Sequence, residues 1–94
     1  VQAIAERFAP RVRILPMLTV EAAAYVRDGS LDFVFIDADH SAAGVQADIA
    51  AWRSKLKPSG VMMGHDIDWP SVRQAVVAVY PRFQVRHDNV WVAA

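Results

Sequence analysis

The stretch FVFIDADH, residues 33–40, decides the fold of this chain. In it, four apolar residues lead directly into two carboxylates and an imidazole. A short continuous apolar run of this kind is typical of a strand that is buried on both faces, as in a parallel sheet. The charged residues would then lie at the carboxyl edge of the sheet, where open α/β sheets bind ligands. The stretch VMMGHD, residues 61–66, repeats the pattern, so we predict two such strands.

The composition restricts the class of protein. The 94 residues suffice for one small domain, and a hydrophobic fraction of 54% can supply its core. The formal net charge is zero and no run of Lys and Arg occurs, so we expect no nucleic acid and no membrane surface as partners. No apolar run approaches the roughly 20 residues of a membrane span. The absence of cysteine fits a cytoplasmic protein and excludes thiolate zinc sites.

Apolar periodicity and turn residues predict an alternation of helices and strands. We expect helices over 1–8, 20–26, 42–56 and 70–79, and strands over 12–15, 32–36, 61–64, 83–86 and 90–92. The predicted N-caps are Thr19, Ser41 and either Asp68 or Trp69, and Pro58-Ser59-Gly60 is the predicted stop of the third helix. Alternation of this kind favours parallel βαβ units, and a tight turn at 87–89 would make the last strand antiparallel to its neighbour.

The chain begins as the back half of an amphipathic helix, with neither an N-cap nor an initiator methionine. We therefore expect residues 1–94 to form a single domain that is the C-terminal part of a longer protein.

The polar residues at the ends of the strands over 32–36 and 61–64 are the candidate functional groups. If the two strands are adjacent, about 4.8 Å apart, the residues that follow them face one another: Asp37, Asp39, His40, His65, Asp66 and Asp68. Carboxylates and imidazoles in such a group can hold a divalent cation, and one left uncoordinated can act as a general base. The alternatives are that Asp37 caps its loop, that His40 is passive, and that Asp68 caps a helix.

Four segments resemble the C-terminal half of class I S-adenosylmethionine-dependent methyltransferases, and within them the small O-methyltransferase-like group. They are LDFVFIDADHS (31–41), DIAAW (48–52), LKPSGV (56–61) and GHD (64–66). The resemblance implies an α/β protein with a truncated Rossmann-like methyltransferase fold, a mostly parallel sheet and a C-terminal antiparallel hairpin. It further implies that the parent protein transfers a methyl group from S-adenosylmethionine to an oxygen of a small-molecule acceptor.

The resemblance also assigns roles to residues. In related metal-dependent enzymes, the positions of Asp37, His65 and Asp66 hold a divalent cation, although those relatives usually carry Asp-Asp or Asp-Asn where this chain has His65-Asp66. Asp39 or His40 matches the base that deprotonates the acceptor hydroxyl. Met17, Thr19 and Asp37 match parts of the fold that touch the methyl donor.

The family's glycine-rich loop, which holds the amino-acid end of the donor, has no counterpart among the four glycines of this chain. We therefore expect that the chain alone does not bind S-adenosylmethionine tightly. Two strands of the family's sheet are also missing, and the exposed strand edges predict a homodimer. Two other functions remain open: a non-catalytic remnant or interaction module, and a metal-dependent enzyme of another class that uses the same His/Asp edge.

Overall fold

The computed structural model describes residues 17–37 and 40–94. The helices are α1 (Thr19–Ala22), α2 (Ala42–Arg53) and α3 (Pro70–Val79), with 3-10 turns at Ala23–Tyr25 and His87–Asn89. The strands are β1 (Leu31–Ile36), β2 (Leu56–Gly64), β3 (Gln84–Arg86) and β4 (Val90–Val92). The helix predicted over 1–8 and the strand predicted over 12–15 lie outside the described residues. Within the described part of the chain, no helix has the length and apolarity needed to cross a membrane.

The four strands form one mixed sheet in the order β1-β2-β4-β3. Strands β1 and β2 are parallel neighbours, with Ile36 opposite Gly64. Strand β4 lies between β2 and β3 and is antiparallel to both. The chain is thus an α/β protein in which the predicted adjacent parallel strands and the predicted antiparallel C-terminal hairpin are both confirmed.

The hairpin turn contains two residues in the left-handed region, Asp88 with φ 58° and Asn89 with φ 60°. Two consecutive residues of this type give the turn the twist that a tight hairpin needs, and Asp and Asn tolerate the conformation better than most residues.

The helix predicted over 42–56 corresponds to α2, and its predicted end is wrong by several residues. α2 ends at Arg53, and Leu56 already belongs to β2. The turn before β1 causes the early end. The carbonyl of Lys55 accepts the backbone N–H groups of Ser30 and Leu31, each at 2.9 Å, and this pairing draws the chain into the sheet. The predicted stop at residues 58–60 instead lies within β2, where the register with β1 is interrupted between Leu31 and Phe33.

The first described helix also differs from its prediction. Leu18, not Thr19, occupies the N-cap of α1, and the α-helix gives way to a 3-10 turn after Ala22. The Thr19 hydroxyl donates instead to the carboxylate of Asp48 on α2. A Thr side chain already used in a tertiary hydrogen bond is not available to cap its own helix.

The other two helix starts agree with the sequence. Ser41 caps α2, and its Oγ accepts the backbone N–H of Gly44 at 3.0 Å. Trp69 is the N-cap of α3 and Pro70 follows in the first turn, where its missing N–H costs nothing.

The core lies between one face of the sheet and helices α2 and α3. Its buried members are Ile36, Val45, Ile49, Met62, Ile67, Val72, Ala75, Val76 and Trp91. Trp91 packs so closely on Gly64 that a Cβ at that position would lie 2.6 Å from the indole Nε1 and Cε2 atoms. The expectation that β1 is buried on both faces fails in the described structure, because Phe33 is 61% exposed and Phe35 44% exposed.

Candidate active site

The candidate site lies at the carboxyl ends of β1 and β2. Asp37 follows β1 directly, and His65 and Asp66 follow β2. The backbone N–H of His65 donates to the carbonyl of Ile36 at 3.0 Å, which holds the two strand ends level. Asp66 has a left-handed backbone with φ 62°, a conformation that Asp adopts more readily than most residues. Parallel pairing and one tight turn therefore bring the predicted polar groups to one edge.

The carboxylate of Asp66 lies between two imidazoles. Its Oδ2 atom is 2.5 Å from Nε2 of His40, and its Oδ1 atom is 3.1 Å from Nδ1 of His65. The side chain of Asp66 is only 21% exposed, so water screens these contacts less than it would at a free surface. A carboxylate that accepts a hydrogen bond from one ring nitrogen fixes the tautomer of a neutral imidazole and leaves the other nitrogen with a lone pair.

His40 is held in place from two sides by the start of α3. Its ring stacks on Trp69, with the ring centroids 4.3 Å apart and the planes at 25°. The Ser71 hydroxyl donates to the carbonyl oxygen of His40. Trp69 is 47% exposed, so it contacts the site through His40 and covers this ring on its outer side.

Three of these groups lie close enough together to share a ligand. Asp37, His40 and Asp66 each offer one ligand atom, and these atoms all lie within 4.8 Å of one another. The set named from the family resemblance was Asp37, His65 and Asp66. The structure places His65 close by as well, with its Nδ1 atom 3.9 Å from Oδ1 of Asp37, but adds His40 to the group.

The residues that the resemblance assigned to the methyl donor line two cavities. Thr19 and Asp37 line a cavity of about 390 Å³ that runs along β1. Met17 and Thr19 line a second cavity of about 340 Å³ beside α1 and α2, so Thr19 contributes to both. Asp39, the other candidate base besides His40, lies outside the described residues.

Asp48 is a polar residue of this region that the sequence analysis did not single out. It is 5% exposed, lines both large cavities and accepts the hydroxyl hydrogen bond of Thr19. The signal was present in the sequence: Asp48 falls between Val45 and Trp52 at the spacing of the apolar stripe of α2, which places it on the buried side.

The fold and the site together define a class: an α/β protein of the methyltransferase type with a His/Asp group at the carboxyl edge of its parallel strands. A family model described as a methyltransferase domain matches residues 1–67, and the chain belongs to that family. No curated protein matches the chain.

A solved structure shows the same fold. It is the crystal structure of a protein from Corynebacterium glutamicum, with a TM-score of 0.70 and 17% sequence identity. The match covers 99% of this chain and 53% of that protein's chain. The chain therefore spans about half the length of the solved relative, and at this identity the likeness establishes the fold alone.

Proposed function

We propose that this chain forms the acceptor-side edge of an S-adenosylmethionine-dependent methyltransferase that methylates an oxygen of a small molecule. The observation that carries the proposal is the position of Asp66 between the rings of His40 and His65 at the carboxyl edge of β1 and β2. Family membership supports the reaction class. The absence of cysteine fits action in the reducing cytoplasm.

The proposed chemical role of this edge is to accept a proton. An acceptor hydroxyl must lose its proton to become a good nucleophile, and a neutral imidazole is a suitable base near neutral pH. With its Nε2 hydrogen directed to the Asp66 carboxylate, the His40 ring keeps Nδ1 free to accept that proton. His65 lies on the other side of the carboxylate, with its Nδ1 atom 3.1 Å from Oδ1 of Asp66. Trp69 prevents the His40 ring from turning away.

The residues present fit a divalent cation. Two carboxylates and an imidazole with ligand atoms within 4.8 Å of one another form a donor set of the kind that binds Mg²⁺ or a first-row transition ion. Asp37, Asp66 and either His40 or His65 would hold the ion. A bound cation would lower the pKa of the acceptor hydroxyl.

The residues present do not fit tight binding of S-adenosylmethionine. The cavity shared by Thr19 and Asp37 has apolar walls from β1, but the chain carries no glycine-rich loop for the amino-acid end of the donor. We propose that the 94-residue chain binds the donor weakly or not at all. Isothermal titration calorimetry tests this directly, and micromolar binding by the chain alone would refute it.

The proposed cation site predicts that substitution of its ligands lowers the affinity for a divalent cation, whereas substitution of a nearby carboxylate does not. Asp37→Ala and Asp66→Asn should each weaken the binding of Mn²⁺ or Mg²⁺ at least about tenfold, since each removes one anionic ligand. Asp66→Asn is chosen because Asn tolerates the left-handed backbone at this position.

The matched control is Asp68→Ala, which removes an exposed carboxylate two residues away. Titration calorimetry or Mn²⁺ relaxation provides the measurement. Equal affinity in the wild type and the three variants would show that Asp37 and Asp66 are not ligands. No binding by the wild type would refute the proposed cation site.

Two other functions predict different results. A non-catalytic remnant or interaction module would bind neither the donor nor a cation. A metal-dependent enzyme of another class would bind a cation through Asp37 and Asp66 while its full-length form ignored S-adenosylmethionine. The cation titration therefore separates the remnant from the other two functions. Titration of the full-length protein with S-adenosylmethionine separates the methyltransferase from the metal-dependent enzyme of another class.

We further propose that the chain forms a homodimer through β1. Within residues 17–37 and 40–94 this strand pairs only with β2, so in that part of the chain its other edge offers unpaired backbone groups. Antiparallel pairing of two β1 strands about Phe33 would bring Leu31, Phe33 and Phe35 of both copies onto one face. Zero net charge removes a general repulsion between copies.

A charge on this edge should break the dimer. Phe33→Lys is expected to shift the sedimentation coefficient of a dimer to that of a monomer, because it places a charge on an apolar pairing edge. The matched control is Val85→Lys on β3, the opposite edge of the sheet, where a 53% exposed side chain is replaced. A wild-type chain that sediments as a monomer at its highest soluble concentration would overturn the dimer.

A further inference from the structure

The indole N–H of Trp91 is a buried donor without an acceptor among the described residues. Trp91 is 0% exposed, and its Nε1 atom is the buried side-chain atom that lacks a hydrogen-bond partner there. A buried donor left unsatisfied costs about 1–3 kcal/mol, so native structures nearly always provide a partner. Trp52 shows the ordinary arrangement, with its Nε1 donating to the carbonyl of Thr19 at 3.1 Å.

A small cavity lies between Trp91 and the His/Asp edge. It has a volume of about 10 Å³, and its polar lining comes from Asp37, His40, His65 and Asp66. Ile36 and Trp91 also line it. The Nε1–Cε2 side of the indole packs over Gly64, the residue directly before His65. Trp91 thus lines the cavity, and its unpaired N–H belongs to the side of the ring that packs on Gly64, next to the charged groups of the site.

We propose that this cavity is a binding site for one water molecule, which accepts a hydrogen bond from Trp91 Nε1 and donates to the carboxylates of the His/Asp edge. The volume is about that of one water and is too small for a larger ligand. A buried water needs two to four polar partners, and the indole, two carboxylates and two imidazoles provide them.

The indole distinguishes the ligand of this cavity from the cation proposed for the carboxylates and imidazoles. An indole N–H is only a donor, so a cation held by Asp37 and Asp66 would leave it unsatisfied. The carboxylates of Asp37 and Asp66 disfavour an anion. Water is both a donor and an acceptor, so one molecule can accept the hydrogen bond of the indole and donate to the carboxylates.

The water would make Trp91 a positioning residue for the site. It connects β4, the last strand of the chain, to the groups at the ends of β1 and β2. The bond fixes the carboxylates from below, while Trp69 and Ser71 hold His40 from the side.

Nuclear magnetic resonance of the intact chain tests the proposal. The three tryptophans give three indole N–H signals, and Trp52→Phe and Trp69→Phe assign two of them by loss, which leaves the third for Trp91. The Trp91 signal should show a cross-peak to a long-lived water in a water-selective rotating-frame experiment. The Trp52 signal is the control, because its N–H donates to a carbonyl oxygen.

A Trp91 signal without a water cross-peak overturns the proposal. A crystal structure provides the second measurement, independent of any variant. Density for one water within hydrogen-bond distance of Nε1 and of a carboxylate oxygen supports the proposal. A protein acceptor on Nε1, from residue 38 or 39 or from the N-terminal segment, refutes it.

Discussion

The two faces of the sheet differ in how they are covered, although both are apolar along β1. On one face, Ile36 and Met62 are buried under α2 and α3 with 7% and 1% of their surface exposed. On the other face, Phe33 and Phe35 remain 61% and 44% exposed, and Val61 on β2 is 36% exposed. Side chains alternate across a strand, so neighbours in sequence have opposite environments here.

β1 carries apolar residues on both of its faces, a pattern that is typical of a strand covered on both sides. A strand with one solvated face normally alternates apolar and polar residues, whereas β1 carries phenylalanines on its open face. Exposed apolar side chains of this kind support the proposal that β1 forms a dimer interface. The dimer proposed above and the additional length of the solved relative each provide a way to cover it.

Truncating one side chain on each side of the sheet should give the largest difference in stability. Ile49→Ala, in the helix α2 that covers one face, should lower the free energy of unfolding by about 2–5 kcal/mol, since Ile49 is fully buried. Phe33→Ala should change it by less than about 0.5 kcal/mol when the chain is monomeric. Urea unfolding followed by circular dichroism measures both.

If Ile49→Ala does not fold, Ile49→Val retains the test with an expected loss of about 0.5–1.5 kcal/mol. Equal losses at Ile49 and Phe33 in dilute protein would mean that the open face is covered within a single chain.

Removing the N-cap of α2, one of the helices on the covered face, should lower the free energy of unfolding by less than Ile49→Ala does. Ser41→Ala removes the oxygen that accepts the Gly44 N–H and should cost about 0.5–2 kcal/mol. Ser59→Ala, at an exposed position within the interrupted part of β2, is the control and should be neutral. A similar loss in both variants would contradict the role of Ser41 as the cap.

Tyr80 lies at the rim of the covered face. Ionisation of its phenol should lower the free energy of unfolding only at alkaline pH. Burial raises the pKa of its phenol above 10.0, and the nearby positive charge of Arg53 offsets part of this shift. The unfolded chain therefore releases the phenolic proton first, and the stability that the neutral phenol provides is lost as the pH rises above 10.

Tyr80→Phe should remove part of this alkaline loss of stability, and Tyr25→Phe, at a 72% exposed site, is the matched control. Urea unfolding between pH 9 and 11 provides the measurement. The same pH dependence in Tyr80→Phe as in the wild type would mean that the phenol is not protected by the fold.

The parts of the fold that depend on local pattern could be predicted from the sequence. The apolar run into Asp37, the Ser41 cap and the hairpin turn at residues 87–89 are each encoded within a few residues. The end of α2 could not, because the Lys55 carbonyl pairs with Ser30 and Leu31, which are distant in sequence. Tertiary hydrogen bonds of this kind override helix propensity.

The candidate site was predictable to a similar degree. Asp37, His65 and Asp66 follow from strand ends that must meet at one edge. The pairing of His40 with Asp66 depends on the left-handed backbone of Asp66, which sequence patterns do not encode. The burial of Trp91 beneath the site depends on Gly64, whose missing side chain makes room for the indole.

The position of β4 between β2 and β3 has a consequence for the order in which the protein is made. β4, which is made after β1, β2 and β3, supplies the strand beside β2, and the carbonyl of Asn89 accepts the backbone N–H of Ile67 at 3.2 Å, just after Asp66. A nascent chain that has reached residue 80 already contains every histidine and aspartate of the edge. It still lacks the strand and the indole that lie beneath them, so the site is completed only after residues 90–92 have been made.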